Sequence, residues 1–206
     1  DYKIAEIAYQ VETEALKIKG GWQDQYAVVR GGFNFIEFKK DGNIINTLRL
    51  KEGIINELNE HLLLCNVGTQ HHSGEIHAKQ EQSFLQCESE RVQQLDDLKN
   101  IAIKIKECLL TNDIEGIGGL LHQSWEIKKK LANNTTETIE RLYNTGLKNG
   151  ANGGKLLGAG LGGYILFHYD PRKRNKLTKA INNSGYEVLD LNFESQGTQV
   201  WTTNSK

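Results

Sequence analysis

The chain has 206 residues, with 25 Lys and Arg against 26 Asp and Glu, a net charge of −1 and 38% hydrophobic residues. That length and composition describe an ordinary globular protein with room for one large core or two small ones. The near-neutral balance lacks the basic footprint of a nucleic-acid or anionic-membrane binder, and no apolar run approaches the roughly 18 residues of a membrane-spanning helix.

Ile4, Ile7, Ala8, Val11, Ala15 and Leu16 recur at spacings of three and four, which predicts an amphipathic helix over 2–18, ended by Gly20-Gly21. The chain begins inside this pattern and no N-cap precedes it, so the natural protein is expected to start further upstream. Gly31-Gly32 opens a strand at 33–39, and Lys40-Asp41-Gly42 turns it into a second at 43–50. A further strand is expected at 58–66, around Leu62-Leu63-Leu64. Residues 73–90 read as a polar, exposed helix, and 91–110 as a helix with Leu95, Leu98, Ile101, Ile105 and Leu109 on one face. Thr111 or Asn112 caps a helix over 113–131, and Thr135 or Thr136 starts another that Gly150 stops. A glycine-rich loop leads to a strand at 163–169, Pro171 opens a helix to about 182, and short strands at 186–191 and 197–202 follow. Strands separated by helices place the chain in the α+β class, with a boundary near residue 53.

Residues 153–169 carry six glycines within eleven positions (Gly153, Gly154, Gly158, Gly160, Gly162 and Gly163), followed by an apolar aromatic run. Glycine lets a ligand approach the backbone closely, and bare N–H groups suit a phosphate or sugar. The plain alternative is a tight turn, and the spacing is neither the Walker nor the Rossmann pattern. In a second segment, Asp24 sits between Gln23 and Gln25, after one glycine pair and before another. A single carboxylate can align an acceptor hydroxyl and take its proton, or it can cap the turn behind it. Gln23 and Gln25 can hydrogen-bond sugar hydroxyls or orient the loop, and Tyr26 and Trp22 can cover a sugar ring or fill the core. Arg30 offers a planar fork for a phosphate. After the Gly68-Thr69 turn and His72, Ser73 can cap a helix. His71, His77, His122 and His168 show no ligand spacing and read as structural or exposed. Lys128-Lys129-Lys130 reads as a solvated helix face and Trp125 as core, and Lys155 can approach a phosphate but reads first as a surface lysine. Cys65, Cys87 and Cys108 show neither metal-ligand spacing nor a disulfide framework, which suits a reducing cytoplasm. The first residues do not read as a signal peptide.

Taken together, Gly-x-Gln-Asp-Gln-Tyr and Gly-Gly-Lys-Leu-Leu-Gly-Ala-Gly-x-Gly-Gly resemble the GHMP small-molecule kinases. The run Gly-Gly-Phe-Asn-Phe-Ile-Glu-Phe and the segment from Leu121 to Lys130 extend the resemblance toward the heptose phosphate kinases among them. The resemblance implies the GHMP fold: the end of an N-terminal α+β domain over 1–53 and a ferredoxin-like α+β domain over 54–206. It implies transfer of the ATP γ-phosphoryl group to the anomeric hydroxyl of a heptose 7-phosphate, for nucleotide-activated heptose synthesis in the cytoplasm. Asp24 would be the catalytic residue, with Gln23, Gln25, Tyr26, His72 and Ser73 toward the substrate. Gly158, Ala159, Gly160, Gly162 and Gly163 would form the phosphate loop, with Leu161 standing where the family usually has glycine. ATP and Mg²⁺ are implied, with the family's metal ligands and its Pro-x-x-x-Gly-Leu-Gly-Ser-Ser loop lying upstream of this sequence. The implied partner is a sugar phosphate, not a nucleic acid or membrane, and a homodimer is compatible. A kinase for another sugar such as fucose, and a non-catalytic module of the same fold, are the alternatives.

Overall fold

Helical periodicity at the start of the chain is realised only in part. In the computed structural model, which describes all residues except 19, 69–87, 133–134, 159–161 and 202–206, α1 runs Tyr2–Gln10 and passes into a π-helical turn, Val11–Ala15. The expected helix to residue 18 stops there because Leu16 N–H donates five residues back to Val11 and Lys17 turns left-handed, with φ 57°. The chain then forms α2 (Gln23–Arg30) and a hairpin of β1 (Asn34–Glu37) and β2 (Ile44–Thr47), paired antiparallel with Phe35 opposite Asn46. Its strands are shorter than expected, but its turn lies where Asp41-Gly42 predicted. Ala5, Tyr26, Val29 and Ile45 form the core of this first compact unit, which spans Asp1–Leu50 and takes in the stretch that begins at Phe193.

The second unit spans Lys51–Asn192. The strand expected at 58–66 begins only at Leu62 (β3, Leu62–Gly68), because α3 occupies Glu52–His61. Ile54, Ile55 and Leu58 hold a helical spacing there, and the Leu62-Leu63-Leu64 run had masked it. Of the helix expected at 73–90, residues 73–87 lie outside the described residues. α4 is Glu88–Thr111, α5 Ile114–Ala132 and α6 Glu137–Lys148. Asn112 ends α4 at φ 61°, and neither it nor Thr111 caps α5. Asp113 does so, its Oδ1 accepting from Gly116 N–H at 3.1 Å. Thr136 caps α6, accepting from Ile139 N–H. β4 (Ala151–Leu156) and β5 (Gly163–Tyr169) follow, then a 3₁₀ turn at Pro171–Lys173, α7 (Arg174–Asn183) and β6 (Glu187–Leu189). The strand expected at 197–202 is absent, since residues 190–201 carry no regular element.

The four strands lie in the order β4-β5-β3-β6 with every pair antiparallel. In chain order this is β-α-β-β-α-β, the ferredoxin-like arrangement. Leu63, Cys65, Ile165, Phe167 and Tyr169 on the sheet pack with Trp125, Tyr143, Leu177 and Ile181 of the helices in one buried cluster. Gly153 and Gly154, expected in a loop, lie within β4. A Cβ on Gly153 would stand 1.9 Å from the Gly118 carbonyl oxygen of α5, so glycine here seats a helix on the sheet.

Candidate active site

In the first unit the sequence Trp22-Gln23-Asp24-Gln25-Tyr26 becomes the first turn of α2. Tyr9 stacks on Trp22 with ring centroids 3.7 Å apart, and Trp22 stacks on Tyr26 at 5.8 Å. Three aromatic rings therefore fix the entry of the helix. Residues that are neighbours in sequence part company here. Gln25 and Tyr26 turn inward and are buried, while Gln23 and Asp24 face solvent. Gln25 Nε2 donates to Glu12 Oε2 at 2.6 Å, and Tyr26 Oη accepts from Asn43 Nδ2 at 3.2 Å. These two side chains hold the turn in place. Asp24 is left as an exposed carboxylate in the first turn of a helix, where unpaired N–H groups favour negative charge. Arg30 pairs with Asp1 at 3.3 Å and lies over the Tyr2 ring.

In the second unit β4 and β5 form a hairpin, and Leu157 N–H donating to the Tyr164 carbonyl at 2.8 Å closes its last rung. Gly158, at φ 70°, opens the tip, and Gly162 and Gly163 close it. Ala159 and Gly160 lie outside the described residues, as do His72 and Ser73. Gly153 and Gly154 thus lie in β4 and Gly163 begins β5, so that of the described glycines only Gly158 and Gly162 stand outside the strands. Below it, Tyr143 Oη–H donates to the Gly154 carbonyl at 3.0 Å and meets His122 Nδ1 at 2.8 Å.

Two lysines border this tip, contrary to the reading of both as solvated. Lys128 of α5 and Lys155 of β4 are half-buried. Lys128 Nζ donates to the Gly158 carbonyl at 2.6 Å. Burial, with the Lys155 charge adding to it, brings the Lys128 ammonium down to about 8. Burial lowers Lys155 as well. A lysine triplet on a helix gives no sign of which member a distant strand covers. The one available signal was that Lys155 lies between Gly153-Gly154 and Gly158 within the glycine-rich segment.

Residues 105–187 match the family described as GHMP kinases C terminal. That match falls within the second unit, which is thus similar to a GHMP kinase C-terminal domain. The chain is 36% identical over 205 residues to a D-glycero-alpha-D-manno-heptose 7-phosphate kinase of Campylobacter jejuni, covering 98% of this chain and 59% of that protein. It is 23% identical over 180 residues to a bifunctional fucokinase/GDP-fucose pyrophosphorylase of Arabidopsis thaliana, covering 84% of this chain and 17% of that protein. Among solved structures, a D-glycero-D-manno-heptose 1-phosphate kinase of Bacteroides thetaiotaomicron matches 98% of this chain and 56% of its own, at 27% identity and TM-score 0.71. The chain therefore spans between half and two thirds of the length of the heptose kinases it matches.

Among the described residues no group of three or more His, Cys, Asp or Glu side chains converges to cage a metal. Mg²⁺ at phosphoryl-transfer sites typically takes one or two carboxylates and otherwise water and phosphate oxygens. An exposed carboxylate such as Asp24 has the chemistry to meet an ion carried in on a nucleotide. No helix among the described residues is long and apolar enough to cross a membrane.

Proposed function

We propose that this chain is part of a GHMP-family kinase that phosphorylates a heptose 7-phosphate at its anomeric hydroxyl, with ATP as the donor. The observation that carries the reading is Asp24: an exposed carboxylate on a turn fixed by three stacked rings and the inward-held Gln25 and Tyr26. The 36% identity to the Campylobacter heptose kinase, extending over nearly the whole chain, supports the choice of acceptor.

Phosphoryl transfer demands little covalent chemistry of the protein and depends on positioning and charge stabilisation. Asp24 would accept a hydrogen bond from the acceptor hydroxyl, align its oxygen and take its proton as the new bond forms. Gln23, exposed beside it, would contact the sugar. The buried Gln25 and Tyr26 would act by holding the turn, not by touching substrate. Backbone N–H groups at the tip from Gly158 to Gly163, Ala159 and Gly160 included, would face the phosphoryl oxygens. His72 and Ser73 would line the acceptor pocket. Mg²⁺, when bound with the nucleotide, supplies neutralisation of the phosphate charge. An ATP-dependent enzyme whose described thiols, Cys65 and Cys108, are free suits the cytoplasm.

The test is ADP release by the full-length protein with Mg·ATP and, in parallel, heptose 7-phosphate, free heptose, fucose or galactose. Turnover confined to the phosphorylated heptose is expected. Turnover with fucose instead would move the assignment toward the Arabidopsis relative. Asp24→Asn is expected to lower kcat by about 10²–10⁴ while ATP binding, read by equilibrium titration, stays within twofold. Near-parental turnover in that variant would remove Asp24 from the chemistry.

A further inference from the structure

A helix and a strand running side by side bring two cations near the same hairpin tip, close enough for the Lys155 charge to act on Lys128. Gly118 of α5 packs directly on Gly153 of β4. From Gly118 to Lys128 the helix advances about 15 Å, and from Gly153 to Gly158 the strand advances about 16 Å. Both arrive at the hairpin tip together, which is why Lys128 Nζ reaches the Gly158 carbonyl at 2.6 Å. Lys155 follows Gly153 by two residues in regular register (Gly153 opposite His168, Lys155 opposite Leu166) and so shares the face of β4 that receives α5.

Neither lysine has a carboxylate partner among the described residues. The contrast with the next residue is sharp. Lys129 is bracketed by Glu126 at 2.7 Å and Glu140 at 3.2 Å. Two half-buried ammonium groups left close together repel each other and give up part of their hydration. An anion placed between them relieves both costs, and a phosphoryl group offers several oxygens for their N–H donors.

We propose that Lys128 and Lys155 form a seat for a phosphoryl oxyanion at the base of the β4–β5 tip, taken either by a phosphomonoester on the sugar or by the terminal phosphate of a nucleotide. The identity of the ligand rests on the kinase reading, but the anion seat itself does not.

Inorganic phosphate is the probe, titrated calorimetrically into the full-length protein. Lys128→Met and Lys155→Met are each expected to weaken binding at least tenfold, and Lys155→Arg to retain most of it. Affinity within twofold of the parent in both Met variants overturns the seat. Should a Met variant fail to fold, pyridoxal 5′-phosphate tests the parent directly. Its aldehyde condenses with a lysine amine, releasing water, and borohydride reduces the imine to a stable secondary amine. Peptide mapping is expected to place the label on Lys128 or Lys155, with inorganic phosphate suppressing it. Label absent from both, or present and unaffected by phosphate, overturns the proposal. Protection by heptose 7-phosphate but not free heptose assigns the seat to the substrate, and protection by Mg·ATP alone assigns it to the nucleotide. Either pattern supports the seat. Because phosphate binding is read without turnover, failure of the kinase assay with intact phosphate binding would discard the heptose reading and keep the seat.

Discussion

His168 shows how one buried side chain ties stability to pH. It is fully buried, and its Nε2–H donates to the Ile114 carbonyl at 2.9 Å, while Nδ1 has no partner among the described residues. Burial pulls its pKa down to about 4; the bond to Ile114 opposes the shift and the neighbouring His61 adds to it. An unfolded histidine titrates near 6.5. Between pH 6.5 and 4 the unfolded chain therefore binds a proton that the folded chain refuses. Stability rises with pH across that window and is lost on acidification through it. His168→Gln is expected to cost roughly 1–3 kcal/mol at pH 7, because a buried carbonyl and its donor are disturbed. It should also remove this histidine's share of the acid-side loss, seen as a flatter pH dependence in urea unfolding. A parent-to-variant difference that stays constant from pH 7 to pH 4 would refute the account.

At the scale of elements, the seating of α5 on β4 is the joint that sets the hairpin tip and its two lysines within the second unit. Gly153 makes that joint: any side chain there meets backbone, and backbone cannot swing aside as a flexible side chain can. Gly153→Ala is expected to destabilise the second unit by roughly 1–3 kcal/mol through overpacking, measured as a lower urea midpoint. If stability is unchanged, the close approach of α5 is not what glycine serves. This joint also marks where the sequence was readable. α4, α5 and α6 each repeat apolar residues on one face over many turns, so period alone located them. α3 was hidden by three consecutive leucines that suit a strand, and Gly153 carries no side chain to show which face it supplies. Asp24 stood out because amides and glycine pairs surround it. The burial of Lys128 was not legible, because what covers it arrives from β4, far along the chain. Gln25 was legible as a candidate but not as a brace, since its partner Glu12 lies on a π turn that the apolar spacing did not reveal.

At the scale of the whole chain, the stretch after β6 returns to the first unit and completes it. A helix leaves its last carbonyls without intrahelical partners. At the end of α2 one of these is met from far along the sequence, as Thr198 N–H donates to the Val28 carbonyl at 3.1 Å. Gly32 N–H, just beyond the helix, donates to the Glu194 carbonyl at 2.8 Å, and Phe33 packs against Phe193 with ring centroids 4.7 Å apart. None of this forms a regular strand, although a short one was expected from residue 197. The consequence is that the end of the helix bearing Asp24 depends on residues some 170 positions later. Ending the chain after Asn192 should uncap α2 and cost the first unit roughly 1–3 kcal/mol. Local openings report such losses through amide hydrogen exchange. In the full-length protein shortened at that point, amides from Tyr26 to Gly32 are expected to exchange faster, while those of β5 keep their protection. Equal acceleration in both would mean that the tail stabilises the chain globally. No acceleration at Gly31 and Gly32 would mean that it contributes nothing to α2.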